Sequence, residues 1–324
     1  LPVTFLIVLH QSPVQASVQA AGNLVNLDCL INRISPQNRS LNVSCAADIP
    51  STVSTLKFID RFAGVDRLNE RVFGLKARDE KGMEIPLKIH GNGLYTIDAS
   101  DRLRHITISY EARLARALDP SQYALSSSLG PEAAFLILAD LLPSLCSGET
   151  GNCDPGPLKL RIEAPSAWKI AATEKNAGDS YEIADPRRAV FFLGNFRERA
   201  ATANAIKLRM TIAGSWSFSD DDAFDLAEAV AREQSEIVGG AEAGDFLVAV
   251  APFPLPLTGL RSSGATIGRT VILQLNQNDN GGQTYSHFRR HLAHEMFHFY
   301  LPNAFRVREN FDWFWEGFTR YIAL

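Results

Sequence analysis

The chain has 324 residues, 46% of them hydrophobic and 21% charged, which is enough to bury one large core or two ordinary ones. Its 32 basic residues are outnumbered by 36 acidic ones, for a formal net charge of −4, and they form no long Lys/Arg run. That balance lacks the basic face a nucleic-acid partner requires, so no nucleic-acid function is expected.

The first twenty residues, LPVTFLIVLHQSPVQASVQA, hold an apolar run from Phe5 to Leu9, then Val14-Gln15-Ala16 and Val18-Gln19-Ala20, which resemble a signal-peptidase site. Residues 1–22 are therefore expected to be the remnant of an export signal, and the protein to be periplasmic or extracellular, with a bacterial source. The apolar run falls far short of the ~20 residues that span a bilayer, so no stable membrane insertion is expected. An N-terminal core strand is the competing reading. The four cysteines lie as two local pairs, Cys29 with Cys45 and Cys146 with Cys153, the spacing expected if an oxidising compartment closes two short loops. Four cysteines permit three connectivities, of which local pairing is the simplest. None shows CxxC spacing, which speaks against cysteine-bound zinc. Asn26-Leu27-Asp28 before Cys29 lacks the small residues of a lipid-attachment site.

From about residue 40 to 200 apolar and polar residues alternate. HITISYEARL sets Ile106, Ile108, Tyr110, Ala112 and Leu114 on one side, as a half-buried strand requires. Runs at 72–77, 85–89, 160–164 and 190–193 predict further strands, and HGNG at 90–93 predicts a hairpin turn. PEAAFLILADLLPSL is expected to form a short helix. Residues 23–200 thus read as an all-β domain. Beyond them, IKLRMTI predicts a strand, and SDDDAFDLAEAVAREQSEIVGG a helix capped by Ser219, favoured by Asp220 to Asp222 at its positive end and stopped by Gly239 and Gly240. DFLVAVAPFP and GATIGRTVILQLN each predict one strand. A helix is expected from about Thr284 to Tyr300, with Pro302 after it, and a last helix from about Asp312.

The chain closes on RRHLAHEMFHFYLPNAFRVRENFDWFWEGFTRYIAL. On a helix His294 and His298, four apart, project from one face, where two imidazoles can reach one cation. Glu295, next to the first of them, can take a proton from water on the open side of the metal. Glu316, on the next helix, can supply a third ligand if that helix folds back. Two histidines and a glutamate leave a fourth position free, which marks a catalytic zinc site rather than a closed structural one. An accidental HExxH is expected in roughly one chain in a hundred of this composition, so chance is a poor explanation. The pattern HExxHxxGxxH does not fit, because Leu301 and Ala304 stand where glycine and a third histidine would be. His287 and His291 continue the stripe; they are expected to serve packing or hydrogen bonding around the site rather than ligation. Phe297, Phe299, Phe311, Trp313, Phe314, Trp315 and Phe318 are expected to form the core that joins the two helices.

HEMFH followed by WFWEGFTRY resembles the gluzincin metallopeptidases, the glycyl-aminopeptidase-like family more than the aminopeptidase N group. RIEAPSAWKIAA and ADPRRAVFFLGNF resemble the same family's β domain and joining segment. The resemblance covers about residues 160–324. It implies an α+β protein: an N-terminal β domain followed, over 201–324, by the first part of a thermolysin-like α/β zinc peptidase domain. It also implies Zn²⁺ held by His294, His298 and Glu316, with Glu295 as general base acting on a peptide or protein substrate. Relatives continue past the third ligand into a helical domain that carries an oxyanion-stabilising Tyr or His, so this sequence resembles the front half of a longer enzyme. They also carry a glutamate on the cleft strand, as GxMEN or GGLEH. Here LTGLRSSGATIGRTVIL has no acid, and Asp279 is the only acidic residue between Phe246 and Ala293. The reading is a zinc-dependent metallopeptidase. An aminopeptidase of the same family and a non-catalytic peptide-binding module that keeps the zinc fold are its alternatives.

Overall fold

The computed structural model describes residues 25–50, 53–98, 105–115, 118–147, 156–203, 206–238, 244–258, 262–277 and 282–300, together with 316, 317 and 319. The expected export signal, Pro302 and the start of the last helix lie outside these residues. So does Cys153, and with it the expected Cys146–Cys153 bridge.

The architecture is α+β and built in layers. The outermost is an eight-stranded sheet centred on Leu27–Ser35, Ser40–Asp48 and His105–Arg113. Its inner residues alternate with outer ones, as in Ile106, Ile108 and Tyr110, because only one face is covered. Cys29 and Cys45 stand opposite each other in the first two of these strands and form a buried disulfide. The second layer contains Ala133–Ile137 paired with Val190–Gly194. The third is a five-stranded sheet in the order Phe196–Ala203, Ile206–Ala213, Gly244–Pro252, Thr270–Leu275 and Ser262–Ile267. Two helices, Asp220–Ile237 and Gly282–Phe297, cover its far face.

Strands in the inner layers are buried on both faces, and each face faces its own core. Ala134, Leu136, Phe191 and Leu193 belong to the core beneath the eight-stranded sheet. Their neighbours Phe135, Ile137, Val190 and Phe192 meet Leu247, Ala249, Ala251, Ala265, Ile267 and Ile272 of the five-stranded sheet. From that same sheet Phe246, Val248, Val250, Val271 and Leu273 pack under the helices against Phe288, Leu292 and Met296.

Double burial explains where the structure departs from the expected elements. PEAAFLILADLLPSL is not mainly helical: Ala133–Ile137 is a strand, and only Leu138–Leu141 makes a helical turn. An apolar run buried on both sides carries no period with which to separate strand from helix. GATIGRTVILQLN is a hairpin of two strands that turn at Gly268 and Arg269, not a single strand. Gly268 has φ +59°, and a Cβ there would lie 2.3 Å from the Arg188 carbonyl oxygen, so glycine is required. The acidic helix begins as expected, with Ser219 Oγ accepting from the Asp222 N–H at 3.1 Å. The 90–93 turn joins Leu87–Gly91 to Leu94–Ile97 as expected. Among the described residues no helix is long and apolar enough to cross a membrane.

Candidate metal centre

The helix Gly282–Phe297 is placed by its apolar stripe. Phe288, Leu292, Met296 and Phe297 are fully or almost fully buried against the sheet. Two polar ties fix its position against the acidic helix: Gln234 Nε2 donates to the Ala293 carbonyl at 2.7 Å, and the Tyr300 hydroxyl to the Ala231 carbonyl at 3.1 Å. The helix ends at Phe297, three residues before the expected Tyr300. His298, Phe299 and Tyr300 continue it in a tighter turn with i→i−3 bonds to Glu295, Met296 and Phe297. Phe297 and Phe299 are buried, as expected of the aromatic core; Phe311, Trp313, Phe314, Trp315 and Phe318 lie outside the described residues.

The histidines face away from that core, towards the edge strand Ser262–Ile267. His294 Nε2 and His298 Nε2 lie 3.3 Å apart. The Glu316 carboxylate comes to 3.4 Å from the first and 3.7 Å from the second. One ligand-type atom from each residue lies within 4.8 Å of those of the other two. A tetrahedral zinc ion with bonds of about 2.0–2.2 Å keeps its ligand atoms ~3.4 Å apart; the two imidazole nitrogens stand at that spacing, and the carboxylate faces one of them with Oε2 and the other with Oε1. The donor set of two imidazoles and one carboxylate therefore fits zinc.

Glu295 sits beside this group, with Oε1 4.0 Å from His294 Nε2. The edge strand holds it. Thr266 Oγ1 lies 2.6 Å from the Glu295 backbone carbonyl and 3.1 Å from its Oε2. A Cβ at Gly264 would fall 2.8 Å from Glu295 Oε1 and 2.9 Å from its Cγ, so only glycine leaves the carboxylate its place. Burial pushes the Glu295 carboxyl up to about 8; the Thr266 hydrogen bond opposes this and the Glu316 charge adds to it. Burial also lowers the His298 pKa, helped by His294 and opposed by Glu316. A carboxyl so poised beside a histidine pair is suited to exchanging protons near neutral pH.

Sequence reasoning named His294, Glu295, His298 and Glu316, and all four are brought together. Ser262, Gly264 and Thr266 were given no role there. The available signal was the alternation of small residues Ser262, Gly264 and Thr266 on one face of that strand. His287 and His291 lie at the surface of the core, half-buried. Their rings stack at 6.4 Å, and both approach the Ser262 hydroxyl. Arg269 lies over the Phe246 ring, while Arg261 and Asp279 are outside the described residues.

An aminopeptidase N family protein from Idiomarina loihiensis superposes with a TM-score of 0.73 at 17% identity, over 92% of this chain and 53% of that one. The two proteins share their fold over nearly the whole of this chain. The chain thus spans about half the length of the Idiomarina protein. An M1 zinc metallopeptidase from Deinococcus radiodurans also matches, over 85% of this chain and 64% of its own, at 11% identity and a TM-score of 0.46, a likeness too slight to bear on this chain. No protein-family model matches the sequence, and no curated protein matches it.

Proposed function

We propose that the chain is the metal-binding portion of a zinc-dependent peptidase, with a β unit over residues 23–200 and a thermolysin-like unit from 201. The observation that carries this reading is the meeting of His294, His298 and Glu316 beside a buried Glu295, at the edge of a sheet. His294, His298 and Glu316 would hold the ion. A bound zinc ion supplies Lewis acidity, polarising a peptide carbonyl and making water a better acid. Glu295 takes the proton of the attacking water and returns it to the leaving amine, which is why its carboxylate must be held still. Thr266 holds it. The peptide lies extended along Ser262–Ile267, whose partner on its inner side is Thr270–Leu275.

Cleavage in this reading does not depend on a free amino terminus. A buried α-ammonium needs a carboxylate partner, and the run from Gly259 to Gln274 contains none. The buried Cys29–Cys45 disulfide supports export to an oxidising compartment.

One experiment tests the proposal: zinc content and hydrolysis of a mixed peptide library, free or acetylated, by the full-length protein and its Glu295→Gln variant. The variant should keep its zinc and lose about 10²- to 10⁴-fold in turnover. Wild-type protein without zinc, or a variant within a few-fold of wild type, refutes the assignment. Hydrolysis of the free peptides alone would make the enzyme an aminopeptidase.

A further inference from the structure

The helix that carries the candidate centre bears a second pair of histidines at the same spacing, which the proposed chemistry leaves unused. His287 and His291 stand one helical turn apart, with ring planes 21° from parallel. Both turn towards the edge strand while Phe288 and Leu292 between and beside them fill the core. Ser262 Oγ lies 2.9 Å from His291 Nε2 and 3.5 Å from His287 Nδ1. Two nitrogens from one helix and an oxygen from the neighbouring strand thus converge on one half-buried point.

Their chemistry narrows what this point can do. Among the described residues no carboxylate pairs with either imidazole, so they show no Ser-His-acid relay that would make the serine a nucleophile. Calcium and magnesium demand several oxygens and are poorly served by imidazoles. Imidazole nitrogens with a hydroxyl suit zinc, copper or nickel; the two O···N separations lie near the ~3.4 Å between neighbouring ligands of a tetrahedral ion, while the rings, 6.4 Å apart between centroids against 4.9 Å for His294 and His298, must swing together to share it, which makes the site the weaker of the two. Arg290, exposed on the same helix, repels positive charge at His291, which weakens the hold on a cation there.

We propose that His287, His291 and the Ser262 hydroxyl form a second, weaker site for a divalent transition ion of the zinc type, separate from His294, His298 and Glu316. Because Ser262 begins the strand along which the peptide is proposed to lie, an ion bound there obstructs the cleft; that consequence, unlike the binding itself, rests on the peptidase reading.

The test is zinc bound per full-length chain as free zinc is raised, measured by atomic absorption after equilibrium dialysis. Wild type should take up one equivalent and then a second at higher free zinc. The double substitution His287→Ala, His291→Ala should lose the second equivalent and keep the first. Ser262→Asp exchanges a weak ligand for a carboxylate and should tighten the second equivalent by roughly 10-fold or more. If the double variant does not fold, the Ser262→Asp gain decides alone. A second equivalent that survives the double substitution would belong to exposed residues such as His90 or His105 and would overturn the proposal. So would a wild type that never binds a second ion, or a second-site affinity that Ser262→Asp leaves unchanged. A chain that binds zinc only through His287 and His291 upholds this site and overturns the peptidase reading instead.

Discussion

The two faces of the edge strand Ser262–Ile267 do different work. Ser263, Ala265 and Ile267 point into the β layers. Ser263 Oγ accepts from the Ala124 N–H at 3.1 Å and donates to the Ser121 carbonyl at 3.0 Å, and Ala265 and Ile267 join the core around Phe135 and Phe192. Ser262, Gly264 and Thr266 point the other way, towards the histidine helix and Glu295. The difference shows how a strand can be anchored by one set of alternate residues and left free to hold a buried carboxylate with the other. Stability and chemistry should then separate by residue parity, and substitutions can test whether they do.

The largest effect on stability is expected on the anchored side. Phe192 is fully buried, 4.8 Å from the Phe135 ring and 5.2 Å from that of Phe196, between the strands of the second layer and the five-stranded sheet. Phe192→Ala should cost about 3–5 kcal/mol in denaturant unfolding, because the surrounding sheets cannot collapse into the space. At a temperature where the variant is still folded, zinc content and turnover should stay within a few-fold of wild type. A turnover loss above 10-fold in folded protein would mean that the two faces are coupled.

On the side that meets Glu295 the expected pattern is reversed. Gly264→Ala places a methyl group against Glu295 Oε1, the movable end of a side chain, so the fold can yield where the chemistry cannot. Stability should change by less than about 1 kcal/mol, the gain from replacing a strand glycine offsetting the local crowding. Turnover should fall roughly 10- to 100-fold as the carboxylate is pushed from its place, with zinc retained. Equal turnover in the Ala variant would show that the position of Glu295 is not set by the strand.

Parity was partly legible in the sequence. The strand His105–Arg113 and the Ser219 cap could be read directly, since a sheet with one covered face and a helix start each leave a local pattern. Ala133–Ile137 could not, because burial on both sides erases the alternation. At the site, His294, Glu295 and His298 follow from helical spacing alone. Glu316 could be offered only on the condition that the next helix folds back, for nothing local says that a residue so far along the chain returns to His298. Gly264 and Thr266 act on Glu295 across about thirty residues of chain, and the hairpin that brings them there was read as one strand. What escaped was the long-range juxtaposition, not the chemistry of any single residue.

The smallest effect is expected where the helix layer is fastened to the sheet by charge rather than by apolar packing. Arg197, on the first strand of the five-stranded sheet, makes two hydrogen bonds to Asp220 at the start of the acidic helix, at 2.6 and 2.9 Å, and a third to the Gly214 carbonyl at 2.8 Å. The Arg197 hydrogen bond, with its charge, holds the Asp220 carboxyl below its ordinary pKa against a partial desolvation. A depressed carboxyl pKa contributes stability that is present above the unfolded value of about 3.9 and is lost as pH falls below it. Arg197 remains 46% exposed, so solvent screening should limit the contribution to about 1 kcal/mol or less. Asp220→Asn should therefore lower the urea midpoint slightly at pH 7 and leave it equal to that of wild type near pH 2. A difference that persists unchanged in acid would assign the effect to the helix start itself. A loss of several kcal/mol at pH 7 would show that the helix layer depends on this bridge as heavily as the β layers depend on Phe192.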